Sequence, residues 1–437
     1  MATNAFKYFI ALVSGIIVGD SLVPDNVMVI LYLGYSLYCL FLAFKGDLEK
    51  LFTVLPYFIY TEIYIRGFPS SLPNLYADYS LAAIFGLLLL RKGTVFRLHS
   101  ISFIFMGLYA LIEIIDSSRT TETDFARINS LNSLNVFIIS LWASSTILPL
   151  STLNKLLNNL KIAGIFIGGV VLTVHLFGRI QYTSVSNFAA SNGLAPVQLS
   201  AYLGLGIILL FLSAVNPFEK KDFVLNIFFI SLMSALMVLT FSRGGLYFCA
   251  AILILYLFFN RKNLGSYFIF LLLLPVGYLV YYYTVSTTGG LIIDRYEQSG
   301  SSGRDILIKI GFEIFKSEPL AGIGTGNFSK EIVARHLYDV ESGAHNEFVR
   351  AAAEHGILGI LTNWFFYIIT FIEILRKKKG IEQQYAIYFF VLFCLIIVHN
   401  GLKIALQPLL LTLVFVKPAF AVRNKGTNDQ RSYKQPA

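Results

Sequence analysis

Residues 286–359 read STTGGLIIDRYEQSGSSGRDILIKIGFEIFKSEPLAGIGTGNFSKEIVARHLYDVESGAHNEFVRAAAEHGILG, and this stretch is the one long break in an otherwise apolar chain. Charge, glycine and histidine concentrate here. On both sides the sequence returns to apolar runs of about the twenty residues needed to cross a bilayer's hydrocarbon. The contrast defines the molecule: a helical bundle built for lipid, interrupted once by a segment built for water.

Composition agrees. The chain has 437 residues, of which 56% are hydrophobic and only 14% charged. Its mean hydropathy is +0.69. A soluble globular domain carries about 25% charged residues. The apolar runs are continuous rather than alternating, which excludes a β-barrel. They fall at 6–23, 27–44, 51–65, 76–90, 99–115, 128–150, 161–177, 194–215, 223–241, 244–259, 264–285, 347–375, 384–399 and 402–422. The fold expected is therefore all-α: a polytopic integral membrane protein with about 12–14 transmembrane helices and one large loop outside the membrane. Lys7 precedes the first run and no small-residue cleavage site follows it, so that run reads as a retained helix. Cys39, Cys249 and Cys394 all lie inside apolar runs and read as small core residues rather than a disulfide framework.

The net charge of +9 does not point to nucleic acid, because the cations sit in short loops where they set topology. With the N-terminus inside, 21 of the 34 Lys and Arg fall in inner segments, among them Lys155, Lys161 and the run Arg376 to Lys379. Seven of the other thirteen (Arg295, Arg304, Lys309, Lys316, Lys330, Arg335 and Arg350) belong to the long break or the helix start after it. The bias puts both termini in the cytoplasm and the long loop outside. Cations there run against the trend. Either long loops simply translocate whatever their charge, or these cations meet an anionic ligand.

Three places could carry chemistry. Arg243 lies in Phe241-Ser242-Arg243-Gly244-Gly245, between two apolar runs with almost no linker. An Arg so near hydrocarbon either faces a wet interior cavity or snorkels to the interface. Arg304 opens a segment in which Ile306, Leu307, Ile310 and Ile314 repeat at helical spacing, with Lys309, Glu313 and Lys316 opposite. This is an amphipathic helix expected on the outer membrane surface, capped by Ser301, Ser302 or Gly303. In its first turn Arg304 either helps bind an anion or pairs with Asp305, Asp294 or a lipid phosphate. His345 precedes Asn346, a good N-cap, at the entrance of a helix expected to run unbroken to Leu375. It is either solvated or catalytic. Arg350 and Glu354, four apart, can simply pair. Gly322-Ile323-Gly324-Thr325-Gly326 reads as a glycine-rich turn, since no strand precedes it and no Gly-Lys-Ser/Thr follows. The sequence contains no HExxH motif, no His/Cys metal cluster and no nucleophile elbow.

Taken in order, Phe241 to Gly245, Gly303-Arg304, Pro319 to Phe328, Ala344 to Phe348 and Glu354 to Gly359 resemble the motifs of the O-antigen polymerase/ligase superfamily. The resemblance covers roughly residues 190–375. It implies an enzyme: a bacterial inner-membrane glycosyltransferase that takes a glycan from an undecaprenyl-pyrophosphate carrier on the periplasmic side. The acceptor is a saccharide, either on another carrier (polymerase) or on lipid A-core (ligase). By position Arg243 and Arg304 would hold the pyrophosphate, with Asn346 beside them, and His345 would assist the acceptor hydroxyl as the catalytic residue. No cofactor, nucleotide sugar or metal is implied. The partners implied are the carrier-linked oligosaccharide donor, the saccharide or lipid-linked acceptor, membrane lipids and a chain-length regulator protein, and not nucleic acid. On this reading residues 1–190 form an N-terminal multispan region, 191–285 a membrane core with the Ser-Arg-Gly-Gly junction, and 286–346 the periplasmic loop. Residues 347–422 form the C-terminal transmembrane helices, and 423–437 a cytoplasmic tail. The competing class is a lipid-linked oligosaccharide flippase, which would place charges along several spans. Here mid-span charges are few, chiefly Glu62 and Glu113. Of the two enzymes, repeat-unit polymerase is the reading preferred.

Overall fold

The computed structural model describes residues 4–20, 24–67, 76–91, 101–120, 123–178, 180–183, 187–215, 222–297, 303–338, 342–377, 379–400 and 404–419. Ser301, Ser302 and the 423–437 tail lie outside these, so the readings made for them are not addressed. The chain is all-α. Its helices are α1 (Asn4–Gly19), α2 (Asp25–Lys45), α3 (Leu48–Gly67), α4 (Tyr76–Arg91), α5 (Ser102–Asp116), α6 (Thr123–Ser144), α7 (Leu150–Phe177), α8 (Pro196–Val215) and α9 (Phe223–Leu239). Then come α10 (Gly244–Phe259), α11 (Leu264–Thr287), α12 (Leu291–Glu297), α13 (Arg304–Ser317), α14 (Phe328–Ala334), α15 (Glu347–Gly359), α16 (Phe365–Arg376), α17 (Ile381–Asn400) and α18 (Leu406–Phe415). Within the described residues the apolar runs fall largely on helices. Among the described residues six helical stretches are long and apolar enough to cross a membrane, and four more helices are apolar but shorter. The three cysteines are free.

Contacts among helix ends and loops sort into two ends. At one end Arg91 donates to the Phe44 carbonyl, Lys155 pairs with Glu49, and Lys377 donates to the Val414 carbonyl at 2.9 Å. There a small parallel pairing, which the sequence did not suggest, joins β1 (Ile147–Pro149) to β2 (Lys417–Ala419). At the other end Arg119 donates to the Gly322 carbonyl at 3.3 Å and Thr120 to Asn327 Oδ1 at 2.7 Å. Each contact joins two segments that the charge count had put on the same side. Lys155 and Lys161 prove to lie inside α7 rather than in a loop. Lys161 is buried and donates to Ser213 Oγ, a polar exit within the bundle.

Two expectations about the long break need correction. The segment 347–375 is not one helix. Gly356 is left-handed (φ 59°, ψ −142°), and a π-helical turn spans Ile360–Trp364 before α16 begins. The break has a purpose in the packing: Ile357 N–H donates to the Pro319 carbonyl at 2.8 Å, and a Cβ on Gly356 would sit 2.6 Å from that oxygen. The loop after α13 thus docks onto the interrupted helix, with Gly324 N–H on the Glu354 carbonyl at 2.8 Å. Second, α13 does not offer its apolar face to lipid. Leu307, Ile310 and Ile314 form a small separate core with Phe328, Ile332, Ala344 and Ala353. The amphipathic period was real, and what covers it is protein. Gly303, at φ 79°, precedes the helix as its N-cap, and no side chain caps it there.

Candidate functional site

The site forms where α10, α12, α13, α15 and α17 meet. Arg243 follows the turn after α9. In that turn Phe241 is buried and left-handed (φ 59°), a conformation uncommon for a bulky residue. Ser200 Oγ holds the turn, lying 3.0 Å from Ser242 Oγ and accepting from Gly245 N–H at 3.1 Å. A Cβ on Gly245 would come within 2.3 Å of the Ser200 carbonyl oxygen, so the glycine lets α10 approach α8 closely. Arg243 therefore points inward and does not snorkel. It donates to the Arg295 carbonyl at 2.5 Å and lies over the Tyr296 ring at 5.3 Å.

Arg295 is a third arginine that the sequence reading left among the loop cations. It is buried, and its Nε donates to the Phe241 carbonyl at 3.4 Å. Burial, then the Arg243 charge, pull its pKa below the ordinary guanidinium value. Burial does the same to Arg304, followed by the charges of Arg295 and Arg243. Arginine stays charged regardless. The three guanidiniums thus lie close enough to repel one another, a repulsion that a bound anion would lessen. Burial also pushes the Tyr296 phenol up to about 12, so it stays neutral.

Arg304, His345 and Asn346 line a cavity of about 190 Å³ together with Tyr247, Phe248 and His399. Arg304 Nη1 lies 2.6 Å from His399 Nε2. His345 is left-handed (φ 50°), which turns it toward this cavity just before α15. Asn346 caps α15 as expected, its Oδ1 accepting from Phe348 and Val349 N–H at 3.0 and 3.3 Å. Arg304, His345 and Asn346 thus share one cavity, and Arg243 lies near enough to Arg304 to repel it. His336 is exposed, away from them. What the sequence reading missed is Arg295, Tyr296 and His399. The signal for His399 was there: an ionisable residue at the end of an apolar span is a functional flag in itself.

Beneath His345 lies a buried charge network much larger than the expected Arg350–Glu354 pair. Arg350 donates to Glu347 Oε1 and Glu113 Oε1 at 2.5 Å, to Glu354 Oε2 at 2.6 Å and to the Tyr109 hydroxyl at 3.0 Å. His355 Nδ1 lies 2.9 Å from Asp116 Oδ2. Glu113, Glu354 and His355 are close enough to share a cation, and Arg350 already supplies positive charge to both carboxylates. A small cavity of about 30 Å³, room for a water, is lined by His345 together with Glu347, Arg350 and Glu354.

A second, larger cavity lies on the other side of Tyr296. This cavity of about 640 Å³ runs between α8, α9, α10 and α11, lined by Phe211, Ile230, Leu253, Val276 and others, and reaches Tyr296 at α12. Its wall is mostly apolar, with Ser234, Thr284 and Glu297 also on it, and Arg243 covers the Tyr296 ring at one end.

Fold and site together define a class: a multi-pass helical membrane protein in which three arginines lie between an apolar cavity and a histidine. Residues 227–363 match the family model described as O-antigen ligase. The match takes in Arg243, Arg295, Arg304, His345 and Arg350. It agrees with the resemblance to the O-antigen polymerase/ligase superfamily over that segment. It covers less than a third of the chain, and α17 with His399 lies beyond it. No curated protein and no solved structure matches the chain.

Proposed function

We propose that this protein is a glycosyltransferase of the bacterial inner membrane. It moves a glycan from an undecaprenyl-pyrophosphate carrier to a saccharide acceptor on the periplasmic side, as a repeat-unit polymerase. One observation carries the reading: an apolar cavity, three arginines and a histidine follow one another in space. That is the order of a polyprenyl tail, a pyrophosphate and the sugar attached to it. The charge bias of the loops supports the periplasmic side.

The chemistry follows from the groups. As the anomeric C–O bond breaks, its electron pair goes to the pyrophosphate oxygen. Arg243, Arg295 and Arg304, already oriented, stabilise that charge. His345, neutral, takes the proton from the acceptor hydroxyl as its oxygen bonds to the anomeric carbon. Direct attack inverts that carbon.

Ligase is the second reading, favoured by the description of the matched family. The glycan ladder of a deletion strain separates the two. Single-unit capped lipid A-core is the outcome for a polymerase; bare core with accumulated carrier-linked polymer is the outcome for a ligase. An unchanged ladder contradicts both.

A further inference from the structure

We propose that His399 is a positioning residue of this site: its neutral imidazole holds the Arg304 guanidinium at the cavity shared with His345. The inference rests on the anion-site reading above and adds to it a residue from α17, outside the matched segment.

The geometry fixes the protonation state. Arg304 Nη1 and His399 Nε2 are 2.6 Å apart. Arginine can only donate, so Nε2 accepts and the ring carries its proton on Nδ1. A protonated ring would place two cations at that distance. The ring itself is held in place. His399 is buried, Tyr247 meets it edge-on at 6.3 Å, and a Cβ on Gly244 would lie 3.1 Å from Nδ1. Gly244 is thus open ground for the imidazole on the side facing α10.

The need for such a holder follows from Arg304's position. It opens α13, whose apolar residues pack on Phe328, Ile332, Ala344 and Ala353, and Arg304 is not a member of that small core. Arg295 and Arg243 repel it. Left alone, a long side chain so placed swings away from its neighbours. One bond to His399 offsets that repulsion and leaves the remaining N–H donors of the guanidinium for phosphate oxygens. His399 thereby ties α17 to α13 at the edge of the cavity.

The test is a double-mutant cycle on purified protein, assayed with a synthetic undecaprenyl-pyrophosphate-linked repeat unit. His399→Ala lowers kcat/KM by about 10- to 100-fold, the worth of one hydrogen bond to a charged group. His399→Gln, whose amide oxygen falls near the lost Nε2, restores most of the rate; His399→Asn, whose oxygen falls near Nδ1, does not. In an Arg304→Ala background, His399→Ala costs nothing further. Additive losses, or a Gln variant as impaired as the Asn variant, overturn the proposal. So does a fully active His399→Ala. If His399→Ala does not fold, the Gln and Asn pair decides alone, since both keep a polar side chain of similar size. Wild-type turnover in Arg304→Ala itself would instead remove the anion-site reading, and is a separate result.

Discussion

At the level of single residues, the arginines bear the main weight. Arg243 and Arg304 were singled out by their sequence neighbours, and the structure aims both into one site with Arg295 between them. A planar two-pronged guanidinium fits phosphate oxygens in a way an ammonium cannot. Arg243→Lys and Arg304→Lys are therefore expected to lower turnover about 100-fold, the usual cost of one transition-state donor. Transfer assays with purified variants check this, and full activity in both would mean that these arginines only support the fold. A control needs an arginine without structural ties; Arg119 does not qualify, because it donates to the Gly322 carbonyl and pairs with Asp116. Arg127 serves better: its side chain is 67% exposed and only loosely paired with Asp124.

Among the elements, α15 matters most. Its first turns bury Glu347, Arg350 and Glu354, and α5 adds Tyr109 and Glu113. These groups sit directly under His345 and fix where α15 begins. Arg350→Met leaves three carboxylates without their common partner. Breaking a buried pair from one side costs about 3–5 kcal/mol, so the variant is expected to melt well below the wild type in detergent. An unchanged melting temperature would show that the network carries no such load. This element also marks how far the sequence was legible. The apolar runs, the Asn346 cap and the glycine-rich turn could be read because each depends on local pattern or on one residue's backbone chemistry. The break at Gly356 could not, since the cause is a carbonyl of Pro319 arriving from elsewhere in the chain. For the same reason the period of Leu307, Ile310 and Ile314 revealed an amphipathic helix but not that protein would cover it. Glu113 and Arg350 are far apart in sequence, and only the fold shows them to be partners.

Over the whole molecule, the apolar cavity and the histidine are the two ends of one proposed path. The apolar cavity between α8 and α11 suits a lipid chain, and the histidine lies past the arginines at the other extreme. Arg295 and His399 were missed for a reason of the same scale: each gains its meaning from helices that come together only in the folded bundle. If the alignment is the working arrangement, holding the donor and transferring its sugar belong to different residues and can be separated. The most direct measurement uses purified protein with a synthetic undecaprenyl-pyrophosphate-linked repeat unit, scoring donor binding and polymer on a gel for the wild type and for His345→Ala. The account predicts that the variant binds the donor as the wild type does and makes no polymer; a near-normal ladder from His345→Ala would contradict it.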